Sequence, residues 1–168
     1  MVRGEGTAIA RGVSAQEAFD FVLDPAQYTK ADTKMVWVTK IADTPAHEVL
    51  MQPAFGDHQV TTFQADVEAR TIGAAVHEPL LVPGRSLDRI PSWGIRRIEE
   101  SRFAGSAMVV WDSGSPPTPL TNTMAAAGVD PHEDPRNSPV ARRQKAVFLT
   151  TGVVVDVCDD RPCRIPHA

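Results

Sequence analysis

Apolar and polar positions alternate most cleanly near the start of the chain. Across residues 6–13, Ile9, Arg11 and Val13 share one face of an extended strand, and Ala8 and Ala10 share the other. The period then lengthens. Ser14-Ala-Gln-Glu17 is a capping box ahead of an apolar run, and it predicts a helix over 15–23 with Phe19, Val22 and Leu23 on one stripe. Pro25 disfavours helical geometry at Asp24 and ends it. Pro25-Ala-Gln-Tyr28 predicts a second short helical turn, since proline suits a first helical position. Residues 35–41 then alternate as a strand, with Met35, Trp37, Thr39 and Ile41 on one face.

Beyond Pro45 the periodicity weakens. Strands are predicted over 59–69, 71–76, 95–100 and 102–111, the last carrying Phe103, Met108, Val109, Val110 and Trp111. From residue 113 to 139 the apolar period disappears, and six of the chain's fourteen prolines fall there. Such composition buries too little surface to offset the entropy of ordering it. The expected organisation is therefore a domain over 1–112 and a proline-rich, poorly ordered tail over 113–168. Within that tail, Ala141 to Ala146 suits a helix. The β-branched run that follows, with Gly152 inside it, predicts a strand over 147–157 instead.

Composition narrows the function classes. At 168 residues, with 42% hydrophobic and 23% charged residues, the chain is an ordinary globular one with room for a core. A net charge of -4 without a basic run gives no footprint for nucleic acid. No apolar segment approaches the twenty residues of a membrane span, and no apolar stretch follows Arg3 as a secretory signal requires. A cytoplasmic location is the resulting expectation. Cys158 and Cys163, near His167, make at most half of a metal site and are expected to be two thiols in a loop, so no metal is expected.

The first strand, the capped helix Val13-Ser-Ala-Gln-Glu-Ala-Phe-Asp-Phe21, the break at Asp24-Pro25, Tyr28 and the strand Met35-Val-Trp-Val38 together resemble the start of the START-like (SRPBCC) superfamily, in particular its polyketide cyclase/dehydrase-like members. The resemblance covers about residues 1–45. It implies an α+β, helix-grip-like fold: a curved antiparallel sheet, two short N-terminal helices and an apolar cavity closed by a long C-terminal helix. That closing helix is absent from the pattern here, where the tail reads as irregular. The implied function is binding of a hydrophobic small molecule, such as a lipid, polyketide or quinone-like compound, without a cofactor. The alternatives are a cyclase or dehydratase, and an inactive product whose second half is a shifted reading frame of the family's own C-terminal region.

Phe19, Phe21, Tyr28 and Trp37 are the candidate ligand-binding residues, although large aromatics fill cores as readily as they line cavities. Asp32, His58 and Asp66 are the nearby acid–base groups, and no spacing singles one out as catalytic. Three His-Glu pairs, His47-Glu48, His77-Glu78 and His132-Glu133, lack the second histidine of a zinc protease and read as surface polar pairs. Neither a Gly-x-Ser-x-Gly elbow nor a glycine-rich phosphate loop after a strand occurs.

Overall fold

A computed structural model describes residues 47–121 and 123–166. The contacts of the chain divide it between Ala46 and His47, so all of these residues belong to one unit. The strand, helix and resemblance expectations for residues 1–45 lie outside the described residues.

The elements are β1 (Leu50–Met51), α1 (Thr62–Ile72), β2 (Ala75–His77), β3 (Arg97–Ile98), β4 (Arg102–Ala104), β5 (Ala107–Met108), β6 (Trp111–Asp112), α2 (Asp134–Asn137), α3 (Pro139–Thr151), β7 (Val153–Val155) and β8 (Cys163–Arg164). Four strands form one sheet in the order β1-β5-β2-β3, and every pairing in it is parallel. The described residues thus mix helix and strand, as expected. Their largest sheet is parallel, however, where a curved antiparallel one was expected. Parallel strands need a crossover connection, and α1 supplies the one from β1 to β2, the two strands that flank β5.

The centre of the sheet is the run from Ala107 to Asp112. Its N–H groups at Ala107, Val109 and Trp111 donate to the carbonyls of Val49, Met51 and Pro53 at 2.9 Å, and Phe55 N–H returns to Trp111 O at 2.8 Å. All six residues of the run are buried. Met108 and Val110 pack on one side with Phe55, Ala65, Ala69 and Val76. Ala107, Val109 and Trp111 pack on the other with Ala141, Phe148 and Val154. A continuous apolar run is what a strand covered on both faces requires. The result is three layers, α1 against one face and α3 against the other.

Two sequence expectations fail for identifiable reasons. The strand expected over 59–69 is instead the helix α1, capped by Thr61 Oγ1, which accepts from Gln64 N–H at 3.3 Å, and stopped at Gly73 with φ 72°. Its buried face is Ala65, Asp66 and Ala69, while Phe63 and Val67 are exposed. Small residues bring the helix close to the sheet, so the large apolar residues do not mark the buried stripe. The tail expected to lack a helix carries α3, capped by Ser138 Oγ accepting from Ala141 N–H at 3.3 Å. The helix runs on through Thr150 and Thr151, whose hydroxyls donate to the Ala146 and Val147 carbonyls one turn back, a bond that helical backbone tolerates. It ends at Gly152, φ 68°, and only Val153–Val155 of the expected 147–157 strand is extended, pairing antiparallel with β4.

The cysteines also depart from expectation. Cys158 and Cys163 are joined in a disulfide and are not two free thiols. No helix among the described residues is long and apolar enough to cross a membrane.

Candidate functional site

The carboxyl ends of the adjacent parallel strands β1 and β5 carry the chemistry. In open parallel sheets this is the edge where loops diverge and ligands bind. After Phe55 the chain turns sharply through Gly56, φ 79°, where a Cβ would collide with the Pro116 carbonyl oxygen. Only glycine allows that approach. Asp57 follows directly and is buried, 4% exposed.

The Asp57 carboxylate is held at both oxygens. Oδ1 accepts from the N–H groups of Gln59 at 2.7 Å and Val60 at 2.9 Å. Oδ2 lies 2.8 Å from Nδ1 of His132, 75 residues further along the chain. A carboxylate only accepts, so Nδ1 carries the proton and donates it. In the neutral ring Nε2 is then left with its lone pair. The nearest anionic group to Nε2 is the half-exposed Glu133 carboxylate, 3.7 Å away, which is itself paired with Arg136. Among the described residues no hydroxyl or thiol hydrogen-bonds to Nε2.

Asp130 fixes the spacing of the two loops. Its Oδ1 accepts from the backbone N–H groups of His58 at 3.3 Å and His132 at 3.1 Å, and its Oδ2 accepts from the Gln59 side-chain amide at 2.9 Å. The Gln59 hydrogen bond chiefly, joined by those two N–H groups and the nearby His58, outweighs desolvation and holds the Asp130 carboxyl below the ordinary carboxylate range. One partly exposed carboxylate thus stitches the Asp57 loop to the His132 loop. On the sheet side, Asp112 receives a bidentate Arg85 guanidinium, both contacts at 2.7 Å, and Arg85 also donates to Ser115 O. Ser115 Oγ donates to Val129 O at 2.6 Å, tying the start of the long loop to its end.

A second buried His–Asp contact serves as an internal comparison. His77 Nε2 lies 3.6 Å from Asp156 Oδ1, beyond hydrogen-bond length, and the Asp156 oxygens are engaged by the N–H groups of Cys158 and Asp160. That pair lacks the directed geometry of Asp57 and His132.

The sequence candidates fare unevenly. Phe19, Phe21, Tyr28, Trp37 and Asp32 lie outside the described residues. His58 sits in the site loop, but its ring reaches the Ala127 carbonyl at 3.3 Å and does not reach Asp57. Asp66 is buried on α1, accepting from Ser92 Oγ at 2.7 Å. His132, expected to be a surface polar residue, is instead the oriented imidazole, because its loop folds back over a buried aspartate. Asp57 carried a readable signal: an apolar run, then Gly56-Asp57, then N–H groups two and three residues on that an aspartate can bind. The 158–163 disulfide removes both cysteines as metal ligands, and no group of three or more metal-binding side chains occurs among the described residues. No family model matches the chain, and neither does any curated protein or solved structure.

Proposed function

We propose that residues 47–166 carry the acid–base centre of a hydrolase, with His132 as general base and Asp57 as the residue that orients it. The observation that supports this reading is the 2.8 Å bond from His132 Nδ1 to a buried carboxylate whose other oxygen is fixed by two backbone N–H groups. An imidazole so held keeps one tautomer and aims Nε2 outward, where it accepts a proton from an attacking hydroxyl and later returns it to a leaving group. The imidazolium formed in between is stabilised by Asp57. The order of the parts supports the same reading: the aspartate follows one parallel strand, and the histidine lies in the loop after the next strand over, as in hydrolases that order nucleophile, acid and histidine along the chain. The attacking group is water.

The reaction class is acyl transfer to water, with a carboxylic ester as the simplest substrate. The test is hydrolysis of p-nitrophenyl acetate and butyrate by the purified full chain. His132→Ala is expected to lower the protein-dependent rate by at least about 100-fold, the lower end of what a positioned general base contributes. Asp57→Asn keeps the volume but permits the wrong tautomer, and is expected to lower the rate by a comparable factor while circular dichroism stays unchanged. Equal rates in wild type and both folded variants would overturn the assignment.

A further inference from the structure

The Cys158–Cys163 bond closes a loop of unfavourable backbone. Asp159 and Asp160, both exposed, lie in succession at φ 55° and 56°. Residues other than glycine visit this region singly, so two in a row persist only where their surroundings hold them. The disulfide supplies that hold from one side. The Asp156 carboxylate, bonded to the Cys158 and Asp160 N–H groups, supplies it from the other. Opening the disulfide lets the loop relax, and the loop leads directly into β8.

β8 is two residues long and forms a two-stranded sheet with β6. Just beyond it, Ile165 N–H donates to Asp112 O at 3.0 Å. Asp112 begins a continuous chain to the imidazole. Its carboxylate holds Arg85, which donates to Ser115 O at 2.7 Å. Ser115 Oγ donates to Val129 O at 2.6 Å, and the next residue, Asp130, accepts from His132 N–H at 3.1 Å. The disulfide, formed or broken, is a two-state element at the far end of this chain. We propose that the Cys158–Cys163 bond is a redox-sensitive tie. Formed, it holds the His132 loop in its working position; reduced by a dithiol, it frees β8 and loosens that loop. The effect on the loop rests on this chain of bonds, and the effect on rate rests also on the reading of His132 as general base.

Cys158 is partly exposed and Cys163 is buried, so reduction starts at Cys158. A thiolate of the dithiol bonds to Cys158 Sγ, the S–S bond breaks, and Cys163 leaves as a thiolate that takes a proton. The second thiol of the reductant then displaces Cys158 and closes its own disulfide ring. Two electrons and two protons pass from the dithiol to the protein.

The test is amide hydrogen exchange of the full chain by mass spectrometry, before and after dithiothreitol, with thiols counted in each sample. On reduction, exchange over residues 127–133 is expected to rise at least about tenfold while α1 keeps its protection. Reoxidation is expected to restore the first pattern. The double variant Cys158→Ser, Cys163→Ser is expected to exchange like the reduced protein with or without reductant. Ser115→Ala cuts the chain midway, so its 127–133 amides are expected to exchange fast when oxidised and to gain less than about twofold on reduction. Hydrolysis of p-nitrophenyl butyrate is expected to fall at least about fivefold on reduction and to return on reoxidation. Unchanged exchange over 127–133 after verified reduction, an equal rise in α1, or a full rise on reduction of Ser115→Ala would each overturn the proposal. So would a loosened loop with an undiminished rate of hydrolysis. Absence of hydrolysis by the oxidised wild type would overturn the base assignment instead, and the exchange result then decides the tie by itself.

Discussion

At the scale of single residues, the site is built from carboxylates held by named partners. Asp112 is the clearest. Burial pushes its carboxyl up, but the Arg85 hydrogen bonds, the Gly114 N–H and the charges of Arg85 and Arg164 together outweigh this and hold it below the ordinary value. A carboxyl whose pKa is depressed on folding adds stability above the unfolded-state value, about 3.9, and loses it as pH falls through the folded-state value. Wild-type urea midpoints are therefore expected to drop on acidification below that range, and Asp112→Asn to flatten this part of the profile. Asp112→Ala leaves Arg85 facing a site built for an anion, and is expected to cost about 3 kcal/mol at neutral pH, read from the same denaturation curves. A midpoint unchanged at pH 7 would show that the pair contributes nothing. This residue was not legible in the sequence. Asp112 closes an apolar strand like any turn aspartate, and its partner Arg85 sits 27 residues earlier in a loop. Asp57 and His132 do carry local signals, an Asx-type turn and a His-Glu pair, but neither signal pairs one with the other. Their meaning comes only from a 75-residue separation closed by the fold.

At the scale of elements, the start and stop signals were present in the chain but were outvoted by side-chain type. Ser138-Pro139 and Gly152 bracket α3 as an N-cap, a first-turn proline and a left-handed C-terminal glycine should. Thr61 and Gly73 bracket α1 in the same way. β-branched residues between the brackets suggested strands, yet threonines that bond one turn back are compatible with a helix. Where burial on both faces dictates the residues, as in Ala107 to Trp111, that part of the strand expected over 102–111 was readable, whereas Arg102–Ala104 forms a separate strand paired with β7. Agreement between caps, buried faces and layers across residues 47–166 is a mark of a sequence shaped to one structure. α3 also carries an interior polar link: the fully buried Gln144 donates to Val155 O at 2.8 Å and accepts from Gln52 Nε2 at 2.9 Å, joining the helix to β7 and to the edge of the sheet. Ser138→Ala is expected to destabilise the unit by about 0.5–2 kcal/mol, the cost of an N-cap side chain, with the denaturant dependence of unfolding unchanged. No shift in midpoint would mean that packing alone sets the start of α3.

At the scale of the molecule, the last strand begins at one end of the disulfide. β8 pairs in parallel with β6 through Trp111↔Cys163 and Asp112↔Arg164, so the chain end is laid against the strand that ends in Asp112. Cys163 is buried, 2% exposed, in the same apolar cluster as Trp111 and Phe148. The bond to Cys158 closes the loop that brings the chain there, and Asp156 braces that loop by accepting from the Cys158 and Asp160 N–H groups, both at 2.7 Å. Closing a loop this short removes entropy from the unfolded chain worth about 2 kcal/mol. Dithiothreitol is therefore expected to lower the wild-type stability by about that amount, and the double variant Cys158→Ser, Cys163→Ser to match the reduced protein and ignore the reductant. Counting free thiols in the denatured wild type, with and without reductant, confirms that the bond was present and then broken. A wild type with no free thiols whose stability does not change on verified reduction would show that β8 is held by its packing and backbone pairing alone. Such bonds persist in oxidising compartments and are rare in the cytosol, so a thiol count on protein drawn from each compartment also tests the cytoplasmic expectation. A fully oxidised pair recovered only from an oxidising compartment would set aside the cytoplasmic expectation.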